Sequence, residues 1–584
     1  MAFVPTWLGP FGLLPIALPV AIVVGAKLGA KLARDGGPVE RAMVGMLATL
    51  VLLTEGMRIA VGLGWLTSLT PLVLLALGGV LARKAPPSRG IASWRDAWPA
   101  LGVAGLAISI AVVTAYFLPI WQWDSLGYHL PFVNYVIQGK GLAGVPDDVP
   151  YLATYPHGIE YLFVAMRLLL PDDRLIDLGQ IPFAFVGGLA VTAVARRAGA
   201  LPSVALATGA AWLCMPGVLL QLPTNYVDVA SAAYFVVAVY FLVGAATPRN
   251  QLLSGLALGL FLGAKPSAPI PTALAGLVLL WRGRRLIPAT LAACAAVVVL
   301  GAETYLVNVA RHHNPIWPIK LALGPIHLPG MYTVQELLSS GAAAPHLTGP
   351  TPLRVIRSWL TLIPPTTFDM RMGGFGPVFL CALPLALWAL WKKRDAAWVI
   401  LVVAGLAAPD PAIARYTLGF PSLVLALGAS RLPSGIGGAS RLAGWSLAAL
   451  SLFNLVVAFP GFSGEGPPLY AYARMSWAQR QGATGPDRQT KDLVALRDAL
   501  PADSAILYDR SFEFAYLLWR PDMANHVERI PDDADAGTLE IMFSDPRVHV
   551  VVIADPAPQA AALAHGFSPL FHCETDTCTV YQRR

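Results

Sequence analysis

From about residue 11 to residue 460, long apolar runs alternate with short polar breaks; beyond residue 465 the pattern changes. Runs such as "LGVAGLAISIAVVTAYFL" carry no charge and approach the ~20 residues a helix needs to cross a bilayer. The runs predict helices at 11–30, 42–62, 67–82, 98–119, 175–195, 203–222, 226–245, 251–264, 266–281, 286–310, 377–391, 396–410, 414–430 and 442–460. Lipid offers the backbone no hydrogen-bond partner, so spanning segments are helical. The fold class read from this pattern is an all-α polytopic membrane protein with about 14 transmembrane helices. The run 158–170 is short enough to be a juxtamembrane or re-entrant helix. In the tail, "SAILYDR" and "VHVVVIAD" read as strands and "SFEFAYLLW" as a helix between them. A small soluble α/β domain is expected there.

Composition agrees. Of 584 residues, 56% are hydrophobic and 13% charged, against about 45–50% and 25% in soluble domains. Basic loop ends beside anionic lipid account for the net charge of +7 without nucleic acid. Those basic residues also set orientation. Lys27, Lys31 and Arg34, the group from Arg83 to Arg95, Arg196 with Arg197, Arg249, Arg282 to Arg285, Lys392 to Arg394, Arg431 and Arg441 all fall on the cytoplasmic side if 158–170 does not cross. Segment 120–174, the turns at Asp228 and Lys265, loop 311–376, turn 409–413 and the tail then lie together outside. No Lys or Arg precedes Lys27, so a cleaved signal peptide is not expected. Cys214, Cys294 and Cys381 sit singly in apolar runs, whereas Cys573 and Cys578 flank "ETDT" and could pair in an oxidising compartment. No Walker loop, zinc signature or dinucleotide fingerprint is found.

Candidate chemistry gathers at the outer breaks. "WQWDSLGYHLP" places Asp124 among Trp121, Trp123 and Tyr128, with His129 about one turn on. "TYPHGIEYLF" adds His157 and Glu160. Asp124 could simply cap a helix, and Asp228 in "TNYVDVA" could serve a helix dipole. Lys265 follows Gly255, Gly259 and Gly263, whose four-residue spacing lets helix backbones touch. That lysine could snorkel, but an ionisable group at membrane depth is a site candidate. "ARHHNPIWP" brings Arg311, His312, His313 and Asn314; adjacent histidines face different ways and do not suit a metal pair. "FDMRMGGFG" holds Asp369 and Arg371, read as a loop-tying ion pair, and "PDPAIARYTLGFP" holds Asp410 and Arg415. Acids could activate a hydroxyl, and cations could hold an anionic leaving group.

The ordered set resembles the GT-C superfamily of membrane glycosyltransferases, in the branch of protein O-mannosyltransferases and lipid A aminoarabinose transferases. "WQWDSLGYHLP" matches the position of that family's essential first-loop Asp, "NYVDVA" a second Asp, and "LGAKPSA" its lysine turn. "HHNPIWP" resembles its G-N-P-x-Y-P loop, with His for Gly and Trp for Tyr, and "ARYTLGFP" its Arg-Tyr element. The resemblance spans about residues 98–430 and leaves 1–97 as three additional N-terminal helices, 98–464 as the catalytic membrane domain and 465–584 as the extracytoplasmic domain. It implies inverting transfer of a sugar from a polyprenyl-phosphate donor to an acceptor hydroxyl at the outer face of the plasma (inner) membrane. Asp124 would be the base and Asp228 would orient acceptor or sugar. Lys265 and Arg415 would hold the lipid phosphate, and Tyr128, His129, His157, Arg311 and Asn314 would contact substrate. Partners would be the donor, membrane lipids and an acceptor lipid, glycan or protein. The paired acids of metal-using oligosaccharyltransferases are not evident in "WDSLG", so an obligatory divalent cation is not expected. Two other functions fit the composition. A polysaccharide polymerase or ligase would also use an undecaprenyl-linked donor. A transporter or flippase would place its polar groups at the midplane within repeats; here they sit at span ends.

Overall fold

A computed structural model describes residues 9–83, 95–334, 336, 349–362, 373–432, 438–458, 469–484, 490–573 and 578–584. Asp369 and Arg371, and the expected boundary at 464/465, lie outside the described residues. The first helices are α1 (Leu14–Leu32), α2 (Pro38–Gly62), α3 (Thr70–Leu81) and α4 (Trp98–Phe117). They are followed by α5 (Leu130–Gln138), α6 (Pro150–Thr154), α7 (Glu160–Leu169) and α8 (Gln180–Ala198). Next come α9 (Pro202–Leu213), α10 (Pro216–Leu219), α11 (Asp228–Leu242), α12 (Pro248–Leu262), α13 (Pro269–Gly283), α14 (Ile287–Gly301) and α15 (Glu303–His312). Then α16 (Thr351–Leu360), α17 (Gly376–Lys393), α18 (Ala396–Leu406), α19 (Gly419–Ala429) and α20 (Ala439–Ala458) complete the helical part. Proline opens α2, α9, α12 and α13, where its missing N–H would have had no helical partner anyway.

Every apolar run carries a helix, and these helices differ in length. Among the described residues, five stretches are by length and composition long and apolar enough to span alone: α1, α2, α4, Ile176–Ala198 and α20. A sixth forms if α14 and α15, bent by 64°, act as one. Others, such as α3, α9, α11, α18 and α19, are shorter. Polar or proline-containing breaks shorten some of these helices, as Pro216 does after α9. Helix α7 has ten residues, all buried, and its ~15 Å length is about half the hydrocarbon thickness.

The glycine spacing in α12 does what a small-residue stripe does. A Cβ on Gly255 would lie 2.4 Å from the Ala293 carbonyl oxygen, on Gly259 2.7 Å from that of Ala296, and on Gly263 2.8 Å from that of Leu300. Helix α12 therefore lies backbone to backbone on α14, which fixes the turn that carries Lys265. At the other end of these helices the basic loop ends meet. Arg249 Nη2 donates to Glu40 Oε1 at 2.9 Å, and the Tyr240 hydroxyl donates to Glu40 Oε2 at 2.7 Å. Arg197 donates to the Tyr240 carbonyl at 2.7 Å, and Arg282 bonds Asp395 at 3.1 Å.

Strands β1 (Ile319–Leu323), β2 (Ile326–Leu328) and β3 (Tyr332–Thr333) form a small sheet after α15. The tail holds β4 (Ala505–Tyr508), β5 (His526–Arg529), β6 (Val548–Ile553), β7 (Phe567–His572) and β8 (Thr579–Arg583) in the order β5-β4-β6-β8-β7. Strands β5, β4 and β6 run parallel, and β8 pairs antiparallel with β6 and β7. The two predicted strands are β4 and β6. The helix expected at "SFEFAYLLW" is instead extended chain with one 3-10 turn at Ala515–Leu518. The physical reason is docking. This segment is apolar on every side and buries Phe512, Phe514, Tyr516, Leu518 and Trp519, while Trp123 Nε1 donates to Glu513 at 2.9 Å and Trp519 Nε1 to Gln138 at 3.0 Å. Helix Ala536–Ser544 makes the crossover between β5 and β6 instead. Cys573 and Cys578 are bonded across the β7–β8 hairpin.

Candidate active site

Four charged side chains from distant parts of the sequence meet at one point. Asp124 precedes the π-helical turn Ser125–His129, and Asp228 opens α11. Lys265 lies between α12 and α13, and Arg415 in the 3-10 turn Ala414–Thr417. Arg415 Nη1 donates to Asp124 Oδ2 at 3.0 Å and to Asp228 Oδ2 at 3.4 Å. Lys265 Nζ donates to Asp228 Oδ1. Asp228 and Arg415 are buried, while the Lys265 side chain keeps 13% and that of Asp124 17% of its surface. Two carboxylates and two cations cancel, which is what allows their burial. Asp124 makes no side-chain capping bond; its carboxylate faces Arg415 instead.

Aromatic rings hold the cations. The Arg415 guanidinium lies 4.9 Å from the ring centres of both Tyr226 and Tyr416, and Lys265 Nζ 4.2 Å from that of Tyr416, within cation–π range. The Asp124 N–H donates to the Tyr226 hydroxyl at 3.4 Å. Asp410 Oδ1 accepts the Ala412 N–H at 3.0 Å and Oδ2 accepts Arg354 of α16 at 2.6 Å, shaping the chain just before Arg415. From Lys265 and Arg415 a cleft opens between Phe235, Phe261, Pro271 and Leu418.

Beside this cluster lies a second buried network. His129 Nδ1 is 2.7 Å and His157 Nδ1 3.5 Å from Glu160 Oε1. Burial pushes the Glu160 carboxyl up, but the hydrogen bonds and charges of the two histidines outweigh it and hold the group at about 2. Phe132 stacks on His157 at 3.7 Å. Tyr128 packs between them and the cluster, 5.8 Å from Tyr151 and 5.9 Å from Tyr155.

Two predicted substrate contacts lie elsewhere. Arg311, exposed at the end of α15, lines a separate cavity of about 790 Å³ that His157 also borders. Asn314 is fully buried and held within its own loop. Its Nδ2 donates to the Ile319 and Pro329 carbonyls at 2.8 and 2.6 Å, and its Oδ1 accepts from Ile316 N–H at 2.9 Å. These bonds staple its own loop. Sequence reasoning passed over Tyr226, Tyr416 and Arg354; the first two stand beside Asp228 and Arg415 in the quoted motifs, whereas nothing local marks Arg354. Among the described residues no group of three or more His, Cys, Asp or Glu side chains is placed to hold a metal.

The site and the basic loop ends occupy opposite ends of shared helices. Arg249 is in the first turn of α12 and Lys265 just past its last, about 22 Å apart along a helix of that length.

No family model matches the chain, and no curated protein matches its sequence. Among solved structures, apo ArnT from Cupriavidus metallidurans is similar with a TM-score of 0.52 at 12% identity, over 82% of this chain and 97% of that one. The same protein bound to undecaprenyl phosphate gives 0.49 at 13% identity over the same shares. The apo Archaeoglobus fulgidus oligosaccharyltransferase gives 0.36 at 14% identity, over 84% of this chain and 75% of that one. The likeness to apo ArnT is one of fold.

Proposed function

We propose that the protein is an inverting glycosyltransferase that moves a sugar from a polyprenyl-phosphate donor to an acceptor hydroxyl outside the cytoplasm. The observation that carries this reading is the meeting of Asp124, Asp228, Lys265 and Arg415 at the helix ends opposite the basic loops. The donor phosphate docks on Lys265 and Arg415, and its first isoprene units follow the cleft past Phe235 and Leu418. Binding draws Arg415 toward the phosphate and releases Asp124 Oδ2 from its ion pair. Asp124 then takes the proton from the acceptor hydroxyl, whose oxygen forms the new bond to the anomeric carbon as the bond to the phosphate oxygen breaks. The electron pair leaves with the lipid phosphate, where the two cations hold the charge that develops. Asp228 keeps Lys265 aimed, and Glu160 with its two histidines fixes the π-helical turn that carries Asp124 and Tyr128.

Purified protein supplied with radiolabelled polyprenyl-phosphate sugars tests the proposal. Asp124→Asn is expected to lower transfer by about 10²–10⁴ while undecaprenyl phosphate still binds. Full turnover by that variant would remove the base from the mechanism.

A further inference from the structure

The cavity of about 790 Å³ is lined by residues unlike those of the phosphate site. Its size falls within the ~300–1,000 Å³ of ligand pockets. One wall is α2, where Arg58 bonds Glu55 at 2.7 Å and Glu303 of α15 at 2.9 Å. Another is the edge of the tail sheet, where Arg529 of β5 bonds Asp148 at 2.9 Å and Asp532 at 2.8 Å. Arg58 and Arg529 are met by these acids and Arg311 is an exposed cation in the same lining, while Asp147, Glu528 and Asp533 add three exposed carboxylates. Acids outnumber cations in the wall. Ionised carboxylates only accept hydrogen bonds, so the wall selects a ligand rich in donors and repels anions. Tyr155 and Tyr161 supply flat apolar sides.

The cavity also adjoins the charged cluster. Gly263, two residues before Lys265, is part of its lining, and the Gly158 N–H donates to the Gly263 carbonyl at 3.0 Å. Tyr155 faces the cavity while packing on Tyr128, four residues from Asp124. This space lies on the Tyr155 and Gly263 side of the cluster, and the cleft at Phe235 and Leu418 opens from Lys265 and Arg415.

Resting on the transferase reading, we propose that this cavity is the acceptor site and that it takes a neutral or amine-bearing glycan rather than an anionic one. Helix α2 and the tail sheet each form part of the site, because they contribute Glu55, Arg58, Glu528 and Asp533.

The test measures binding of three tetrasaccharides to the detergent-purified full chain: a glucosamine tetramer, cellotetraose and tetragalacturonate. The glucosamine tetramer is expected to bind at least about tenfold tighter than tetragalacturonate, a difference of about 1.4 kcal/mol. Glu528→Gln combined with Asp533→Asn, both at exposed positions, should narrow that ratio to threefold or less. Equal or tighter binding of tetragalacturonate, no binding of any of the three, or an unchanged ratio in the double variant would overturn the proposal. Undecaprenyl phosphate binding, measured on the same samples with Arg415→Met as control, reports separately on the transferase reading. Its failure with the saccharide pattern intact would sink that reading and leave a glycan site.

Discussion

Arg415 is the joint between the two carboxylates, and its removal gives a sharp test of the cluster. It lies 3.0 Å from Asp124 and 3.4 Å from Asp228 with 7% of its side chain exposed. At an effective dielectric of about 20, each contact is worth about 5 kcal/mol of Coulomb attraction before desolvation is subtracted. The net cost of breaking a buried pair by deleting one partner is about 3–5 kcal/mol, because a charge is left uncompensated. Arg415→Met should fall at the lower end, about 3 kcal/mol. Asp228 retains Lys265, and Asp124 is partly in contact with water. Adding Asp124→Asn to Arg415→Met removes the orphaned charge. The double variant should therefore be more stable than Arg415→Met alone, with a coupling energy of about 1–3 kcal/mol. The assay is the midpoint of thermal unfolding for the four proteins in one detergent at one heating rate. A double variant whose loss equals or exceeds the summed losses of the singles would show that the two side chains do not act as a pair, and the release of Asp124 by phosphate would lose its basis.

Lys265→Met should weaken undecaprenyl phosphate binding by about 10–100-fold, the value of one charge-assisted hydrogen bond, as read by quenching of intrinsic tryptophan fluorescence. Glu160 is lowered to about 2 in the folded chain, against about 4.3 for a free glutamate. Its contribution to stability is thus fully present above about 4.3 and lost as pH falls toward 2. Glu160→Gln should flatten the fall in unfolding midpoint across that window. Gly259→Val forces a side chain into the 2.7 Å space before the Ala296 carbonyl. It should destabilise by about 1–3 kcal/mol and lower transfer by displacing Lys265. Arg529→Ala should loosen the tail sheet from the loop at Asp148, visible as faster proteolysis of the tail.

Several features follow from the sequence alone because they rest on local patterns. Apolar run length fixed where helices form, short apolar runs marked β4 and β6, and the four-residue glycine spacing announced a close helix contact. Asp124, Asp228, Lys265 and Arg415 were each legible as polar interruptions at span ends. The resemblance implied that they share one site; their ion pairing was not legible, since it joins positions up to 291 residues apart and depends on how helices pack around them. The same holds for "SFEFAYLLW", whose composition suits a helix but whose aromatic side chains are buried by docking against the loops at Trp123 and Gln138. Asn314 looked like a ligand in its motif, yet its hydrogen bonds are satisfied within its own loop. The large cavity had no sequence signature at all, because its walls come from α2, α5, α15 and β5, and only the packing of those elements leaves a space between them.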